Sequence, residues 1–215
     1  MKKYLCLISL TASLLLAMRA QAGELARIQP YFVYGHKDGM ALTFDVIRPE
    51  KPNGASILFL QSGGWYSIWS EPNKLLPACQ PMLAKGFTVF LVRHGSAPKY
   101  TVPDAIADVR RSVRFIRLRA VELGVDPLRL GVLGGSAGGH LSLMLATTAD
   151  SGDPKAEDEV LRQSDSVAAA KENHLLCELL VIEGAGHGFN AKYDEVVVPA
   201  MVGWFEKHLP GNTPQ

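Results

Sequence analysis

Arg129-Leu-Gly-Val-Leu-Gly-Gly-Ser-Ala-Gly-Gly-His-Leu-Ser-Leu-Met-Leu145 is the stretch from which the rest of the chain is read. Residues 130–133 form a short apolar run that suits a buried strand, and residues 141–146 suit the start of a helix. Between them Gly134-Gly135-Ser136-Ala137-Gly138 matches G-x-S-x-G, the pattern of a nucleophile elbow. Gly134 and Gly138 let strand and helix approach around a strained serine. The turn lifts the Ser136 hydroxyl to the N-terminus of a helix, whose free amides favour a developing negative charge. The same glycines also suit a plain strand-to-helix turn or a phosphate-binding loop, so the serine needs partners elsewhere in the chain.

Working outward, residues 103–123 carry Ile106, Val109, Val113, Ile116, Ala120 and Leu123 at intervals of three and four, which predicts one long amphipathic helix ended by Gly124. Arg110, Arg111, Arg114, Arg117 and Arg119 fall on its other faces. They are expected to form a solvated surface rather than a site for an anionic partner. Residues 87–92 and 55–60 read as buried strands of a parallel sheet. Residues 72–85 read as a helix, with Leu75, Leu76, Cys79 and Leu83 on one face and Gly86 as its stop. His94 and Ser96, in the loop after residues 87–92, are expected to be structural or peripheral. Residues 28–34 and 41–48 have strand character and flank a glycine- and aspartate-bearing turn, which predicts an antiparallel hairpin.

After the 55–60 strand comes Gln61-Ser62-Gly63-Gly64-Trp65. Two glycines just past a strand end can turn bare backbone N–H groups toward a substrate oxygen, as an oxyanion hole requires, or can serve only a turn. Downstream of the elbow, residues 149–163 are polar and acidic and read as a surface loop or weak helix. Residues 175–182 return to strand character, and Glu183-Gly184-Ala185-Gly186-His187-Gly188-Phe189 follows them. His187 thus sits on a glycine-flanked loop beyond a strand end, where active sites of parallel α/β folds gather, and is the candidate general base. Residues 196–209 close the chain as an amphipathic helix.

Composition narrows the classes. The chain has 215 residues, 47% of them hydrophobic and 20% charged, with a formal net charge of +1. That balance suits one globular domain over residues 23–215 and gives no reason to expect nucleic acid. Residues 1–22 have Lys2 and Lys3 before an apolar run and end in Ala20-Gln21-Ala22, the pattern of a secretory signal peptide. The run is too short and too interrupted for a membrane anchor. A secreted or periplasmic mature chain is therefore expected, in a compartment where a Cys79–Cys177 disulfide is allowed but not required; both cysteines lie in apolar segments, which favours buried free thiols. No Cys/His spacing resembles a metal site.

Taken together, Gln61-Ser62-Gly63-Gly64-Trp65, Gly124-Val125-Asp126-Pro127, the 134–141 segment and the 183–189 segment resemble the esterase branch of the α/β-hydrolase fold. Within it the likeness is to secreted feruloyl and acetyl-xylan esterase-like or hormone-sensitive-lipase-like enzymes. The resemblance implies a three-layer α/β fold with a mostly parallel sheet, helices on both faces and antiparallel N-terminal strands. It implies Ser136 as nucleophile, His187 as general base, and the Ala137 amide with that of Gly63 or Gly64 as oxyanion donors. It also implies a small-molecule or carbohydrate-linked ester substrate and no cofactor. Two departures stand out. The oxyanion loop has Gln61-Ser62 where the family has His-Gly, and His187 follows Ser136 by only 51 positions. Relatives place two further strands and the acid in that interval, so the chain looks shortened after the elbow. Asp153, Asp158 and Asp165 are the available carboxylates, and none lies in the family's setting for the acid. A prolyl-peptidase-type exopeptidase and a degenerate, non-catalytic binding protein share the same motifs. A shortened sheet would also expose an edge and favour self-association.

Overall fold

The computed structural model describes residues 26–167, 178, 180–187 and 191–210. The expected signal segment and Cys177 lie outside them. The described elements are β1 (Arg27–Lys37), β2 (Met40–Arg48), β3 (Ser56–Leu60), α1 (Pro72–Leu83), β4 (Thr88–Val92), α2 (Val102–Leu118), α3 (Ala120–Leu123), β5 (Leu130–Leu133), α4 (Ala137–Thr147) and α5 (Ala191–His208).

The hairpin closes through Asp38 and Gly39, both at positive φ (49° and 79°), with Lys37 paired to Met40. Positive φ at both central residues matches the right-handed twist of the flanking strands, which is why aspartate and glycine stand there. The sheet order is β1-β2-β4-β3-β5, with β2 antiparallel to β4, and with β4 and β5 both parallel to β3. This is the α/β-hydrolase-type mixed sheet expected from the sequence.

Strand alternation explains the three layers. Leu58 and Leu60 of β3 and Phe90 and Val92 of β4 point to one face, where Val109, Val113 and Ile116 of α2 and Leu141 and Leu145 of α4 cover them. Ile57, Val89 and Leu91 point the other way, onto Cys79 and Met82 of α1 and Val202 and Phe205 of α5. Successive side chains of a strand take opposite faces, so a continuous apolar run needs a cover on both sides. Each such side chain, fully buried, contributes roughly 1.5–3 kcal/mol. The two helical layers are therefore what make these strands stable.

Three sequence expectations are corrected. The single helix over residues 103–123 is broken at Arg119 (φ −100°, ψ 17°), and Arg119 N–H reaches the carbonyls of both Arg117 and Phe115. The short α3 then buries Ala120 and Leu123 and ends at left-handed Gly124. The arginine face is not a solvated surface. Arg110 and Arg114 pair with Asp150 and Asp165, and Arg111 pairs with Asp158. Arg117 donates to the carbonyls of Ser164 and Ser166. The acidic stretch after α4 is thus an irregular loop laced onto α2. Finally, β5 ends the sheet among the described residues, with β3 as its one neighbour. Glu178 and residues 180–182 carry no strand, so the strand expected over residues 175–182 is not formed in its described part. The rest of that segment lies outside the described residues.

Candidate active site

Ser136 sits between β5 and α4 at φ 52°, ψ −119°, a conformation that L-residues adopt only under constraint. The neighbouring glycines supply that constraint. A Cβ on Gly134 would stand 2.4 Å from the Gly138 carbonyl carbon, and one on Gly138 would stand 2.7 Å from the Leu60 carbonyl oxygen. Only hydrogens fit at both places, so β5 and α4 close around the serine as the sequence pattern predicts. Leu141 and Leu145 then anchor α4 in the core.

His187 is brought to the same end of the sheet. Its Nε2 lies 2.9 Å from Ser136 Oγ, and both residues are exposed. The loop carrying it turns at Gly184 (φ 73°), where Ala185 N–H donates to the Ile182 carbonyl and Tyr193 hydroxyl donates to the Gly184 carbonyl. The imidazole is therefore placed to take a proton from the serine as the hydroxyl attacks.

The loop after β3 lies against this elbow, and Gly138 N–H donates to the Ser62 carbonyl at 3.2 Å. Gly63 and Tyr66 exchange both backbone hydrogen bonds at 3.0 Å, across a tight turn whose central residues Gly64 and Trp65 both have positive φ (56° and 62°). Gly63 N–H is thus already engaged by the Tyr66 carbonyl. Neither Gly64 nor Ala137 donates its amide to a backbone acceptor among the described residues. Of the two candidate glycines, Gly64 is the one with an amide to offer.

Several neighbours escaped sequence reasoning. Trp65 meets the His140 ring edge-on at 6.0 Å, one helical turn past the serine. Tyr31, turned outward at a bulge in β1, stacks on Trp69 at 6.1 Å. Exposed Tyr66 and Ile68 complete an apolar, aromatic rim on the loop that follows β3. Long exposed aromatics in one loop after a strand end were the available signal, since such side chains seldom cluster at a surface without a partner. The ring nitrogens of His94 bond neither Ser136 nor His187 among the described residues. His94 is buried and bonds Ser62.

The three candidate acids lie elsewhere. Asp165 is buried between Arg110 and Arg114. Asp158 bonds Arg111, whose hydrogen bond holds the carboxyl below its ordinary pKa. Asp153 accepts from the Lys155 amide within its own turn. Among the described residues no carboxylate hydrogen bonds His187, no group of three metal-ligating side chains occurs, and no helix is long and apolar enough to cross a membrane.

Comparison with known proteins agrees with this geometry. The probable carboxylic ester hydrolase LipM of Mycobacterium tuberculosis is 28% identical over 133 residues, covering 62% of this chain and 30% of that protein. The acetylxylan esterase of Xylanibacter ruminicola is 30% identical over 142 residues, covering 64% of this chain and 28% of that protein. Propionate-bound esterase 2 of Thermogutta terrifontis superposes with a TM-score of 0.52 at 28% identity, over 70% of this chain and 54% of that one. The chain therefore spans about a third of the length of these curated relatives. The BD-FAE family model matches residues 44–202, a span that contains the elbow, the glycine loop and His187, and the chain belongs to that α/β-hydrolase family.

Proposed function

We propose that this protein hydrolyses carboxylic esters through an acyl-enzyme on Ser136. The observation that carries the reading is the 2.9 Å contact between Ser136 Oγ and His187 Nε2 on a strained elbow. A positioned nucleophile and base within hydrogen-bond reach is what acyl transfer requires. Ser136 Oγ attacks the ester carbonyl carbon while its proton passes to His187 Nε2. The carbonyl oxygen becomes an oxyanion, held by the amides of Ala137 and Gly64. Gly63 shapes the turn that aims the Gly64 amide. The tetrahedral centre collapses, the C–O bond to the alcohol breaks, and His187 returns the proton to the leaving oxygen. Water, deprotonated by His187, then attacks the acyl carbon, the bond to Ser136 Oγ breaks, and His187 returns the proton to that oxygen as the acid leaves. No step needs a metal or cofactor.

The aromatic rim of Trp65, Tyr66 and Trp69 supports a substrate with a flat apolar face beside the ester, such as a sugar ring or an aromatic acid. One relative is an acetylxylan esterase, which agrees with a carbohydrate-linked ester. The basic and apolar start of the chain supports export to the periplasm or medium. The absence of a carboxylate on His187 among the described residues favours a second reading, a hydrolase-fold protein that binds ligand without turnover.

A fluorophosphonate probe separates the two. The wild-type chain is expected to label and to hydrolyse p-nitrophenyl acetate, and Ser136→Ala to do neither while keeping its circular dichroism spectrum. A wild-type chain that binds esters without labelling would replace this reading with the binding one.

A further inference from the structure

His94 and Ser62 form a second serine–histidine contact, 2.8 Å between Nε2 and Oγ, immediately before the glycines of the oxyanion loop. The tautomer follows from the other ring nitrogen. His94 Nδ1 lies 2.8 Å from the Gly95 carbonyl, which can only accept, so Nδ1 carries the proton and Nε2 accepts from the Ser62 hydroxyl. Burial lowers the His94 pKa, opposed by the Gly95 bond and Asp108 and reinforced by Lys37, which keeps the ring in this neutral, accepting form at neutral pH. The imidazole is itself fixed from behind. Gly95 N–H donates to Asp108 Oδ2 at 2.9 Å, and Asp108 pairs with Lys37 at 3.0 Å.

The rest of the loop is tied down on either side of Ser62 by backbone and hydroxyl contacts. Gln61 N–H donates to the Val92 carbonyl, Ser67 N–H to Ser96 Oγ, and Ala97 N–H to the Trp65 carbonyl. Ser62 is where these tethers meet the elbow, because its carbonyl accepts from Gly138 N–H in α4. Its hydroxyl contact to His94 and its carbonyl contact to Gly138 thus both act on the residue that leads into Gly63 and Gly64. Ser62 is the residue of this loop that carries a hydroxyl directly before the two glycines, and a buried histidine holds it.

We propose that His94 is a positioning residue that, through the Ser62 hydroxyl, holds the Gly63-Gly64 turn with its free amide aimed at the oxyanion formed over Ser136. The inference rests on the esterase reading above. A misplaced donor acts on the transition state more than on substrate binding, so the loss falls on kcat.

The test pairs kinetics with hydrogen exchange. Ser62→Ala and His94→Leu are each expected to lower kcat for p-nitrophenyl acetate about 10-fold to 100-fold, with KM nearly unchanged, as small displacements of reacting groups do. The double variant should lose no more than either alone. His94→Gln, whose side-chain carbonyl can still accept from Ser62, should recover most of the rate. Amide exchange at Gly63 and Tyr66, followed by NMR, should quicken in Ser62→Ala. Unchanged kcat in Ser62→Ala, equal losses in His94→Gln and His94→Leu, or unchanged exchange would each overturn the assignment. A wild-type chain with no esterase activity would instead overturn the esterase reading, and the exchange measurement would still decide whether His94 holds the loop.

Discussion

Asp165 Oδ2 lies 3.2 Å from Arg114 Nη2, with the aspartate fully withdrawn from solvent. Arg110 approaches the same oxygen at 3.2 Å, and Asp165 Oδ1 accepts from the Asp150 amide at 2.7 Å. One buried carboxylate therefore joins two turns of α2 to the loop that follows α4. Removing it would leave both guanidinium groups with the half-exposed Asp150 as the one carboxylate they share. Deleting one member of a buried pair costs about 3–5 kcal/mol, and the partial exposure of both arginines puts this case at about 3. Asp165→Ala should lose that much unfolding free energy in urea. Asp158→Ala, whose pair with Arg111 is more exposed, should lose less than about 1 kcal/mol. Equal losses would show that the loop is held by something other than the buried carboxylate.

The elbow stores strain that glycine can relieve. Ser136 is held at φ 52°, and sparsely populated conformations of this kind cost of order 1–3 kcal/mol in a residue with a Cβ. Ser136→Ala and Ser136→Gly both remove the nucleophile, so turnover should vanish in each. They differ in the backbone. The glycine variant gives back roughly 0.5–1 kcal/mol through its freer unfolded chain, and should still be about 1 kcal/mol more stable than the alanine variant. Thermal unfolding of the two, side by side, checks this. An alanine variant as stable as the glycine one would mean the strain is no larger than the entropic cost of glycine, roughly 0.5–1 kcal/mol.

Gly64 tests the other side of the site. A Cβ there would meet nothing within 4 Å, so the position has room but not the backbone freedom. At φ +56° a non-glycine residue pays a conformational penalty of roughly 1–2 kcal/mol, and the turn can escape it by rotating the Gly64 amide. Gly64→Val is therefore expected to lower turnover about 100-fold to 1000-fold, the usual effect of losing one oxyanion donor, with stability changed far less. A variant that keeps its rate while losing stability would assign the glycine to the turn alone.

The hairpin, the strand runs from residue 28 to 133 and the elbow were legible in the sequence because each depends on local rules: aspartate-glycine at a tight turn, apolar runs flanked by breakers, glycines around a serine. The same was true of His187, whose loop follows the serine in the expected order. The break at Arg119 was not legible, since Arg117, Leu118, Arg119 and Ala120 are all good helix formers and no glycine or proline marks the place. The arginine face misled for a related reason. Charge on a helix reads as solvated, and the aspartates that neutralise Arg110, Arg111 and Arg114 stand 36 to 55 positions away. The His94–Ser62 contact spans 32 positions and has no local pattern at all.

Cys79 offers a pH test of the core. The thiol is fully buried beneath α1, and burial pushes its pKa up to about 12 from an ordinary 9.0. Because the folded value is the higher one, the stability it contributes is fully present below about pH 9 and is lost as pH rises toward 12. The native chain should resist iodoacetamide at Cys79 at pH 8 and label there only on unfolding. Urea midpoints should fall between pH 9 and 12, and that fall should be smaller in Cys79→Ala. Rapid labelling of Cys79 in the native chain would mean the α1 face opens readily.

The orientation of His187 bears on how fast this chain can work. In serine hydrolases a carboxylate fixes the imidazole tautomer and stabilises the imidazolium, and disabling that role in a serine protease lowers turnover about 10⁴-fold. Here Asp153, Asp158 and Asp165 are turned to their own loop and to the α2 arginines. The expected outcome is slow p-nitrophenyl acetate hydrolysis that depends on Ser136 and His187. Asp153→Asn and Asp158→Asn should leave the rate within about 3-fold, inside the range of surface substitutions. Asp165→Asn should act through stability, so its rate should return when assayed well below its own unfolding temperature. Light scattering on the same samples reads whether β5, paired on one side among the described residues, draws a second copy. A rate that collapses in one folded Asp→Asn variant would identify that residue as the acid, and would require its loop to swing from α2 toward His187 when substrate binds.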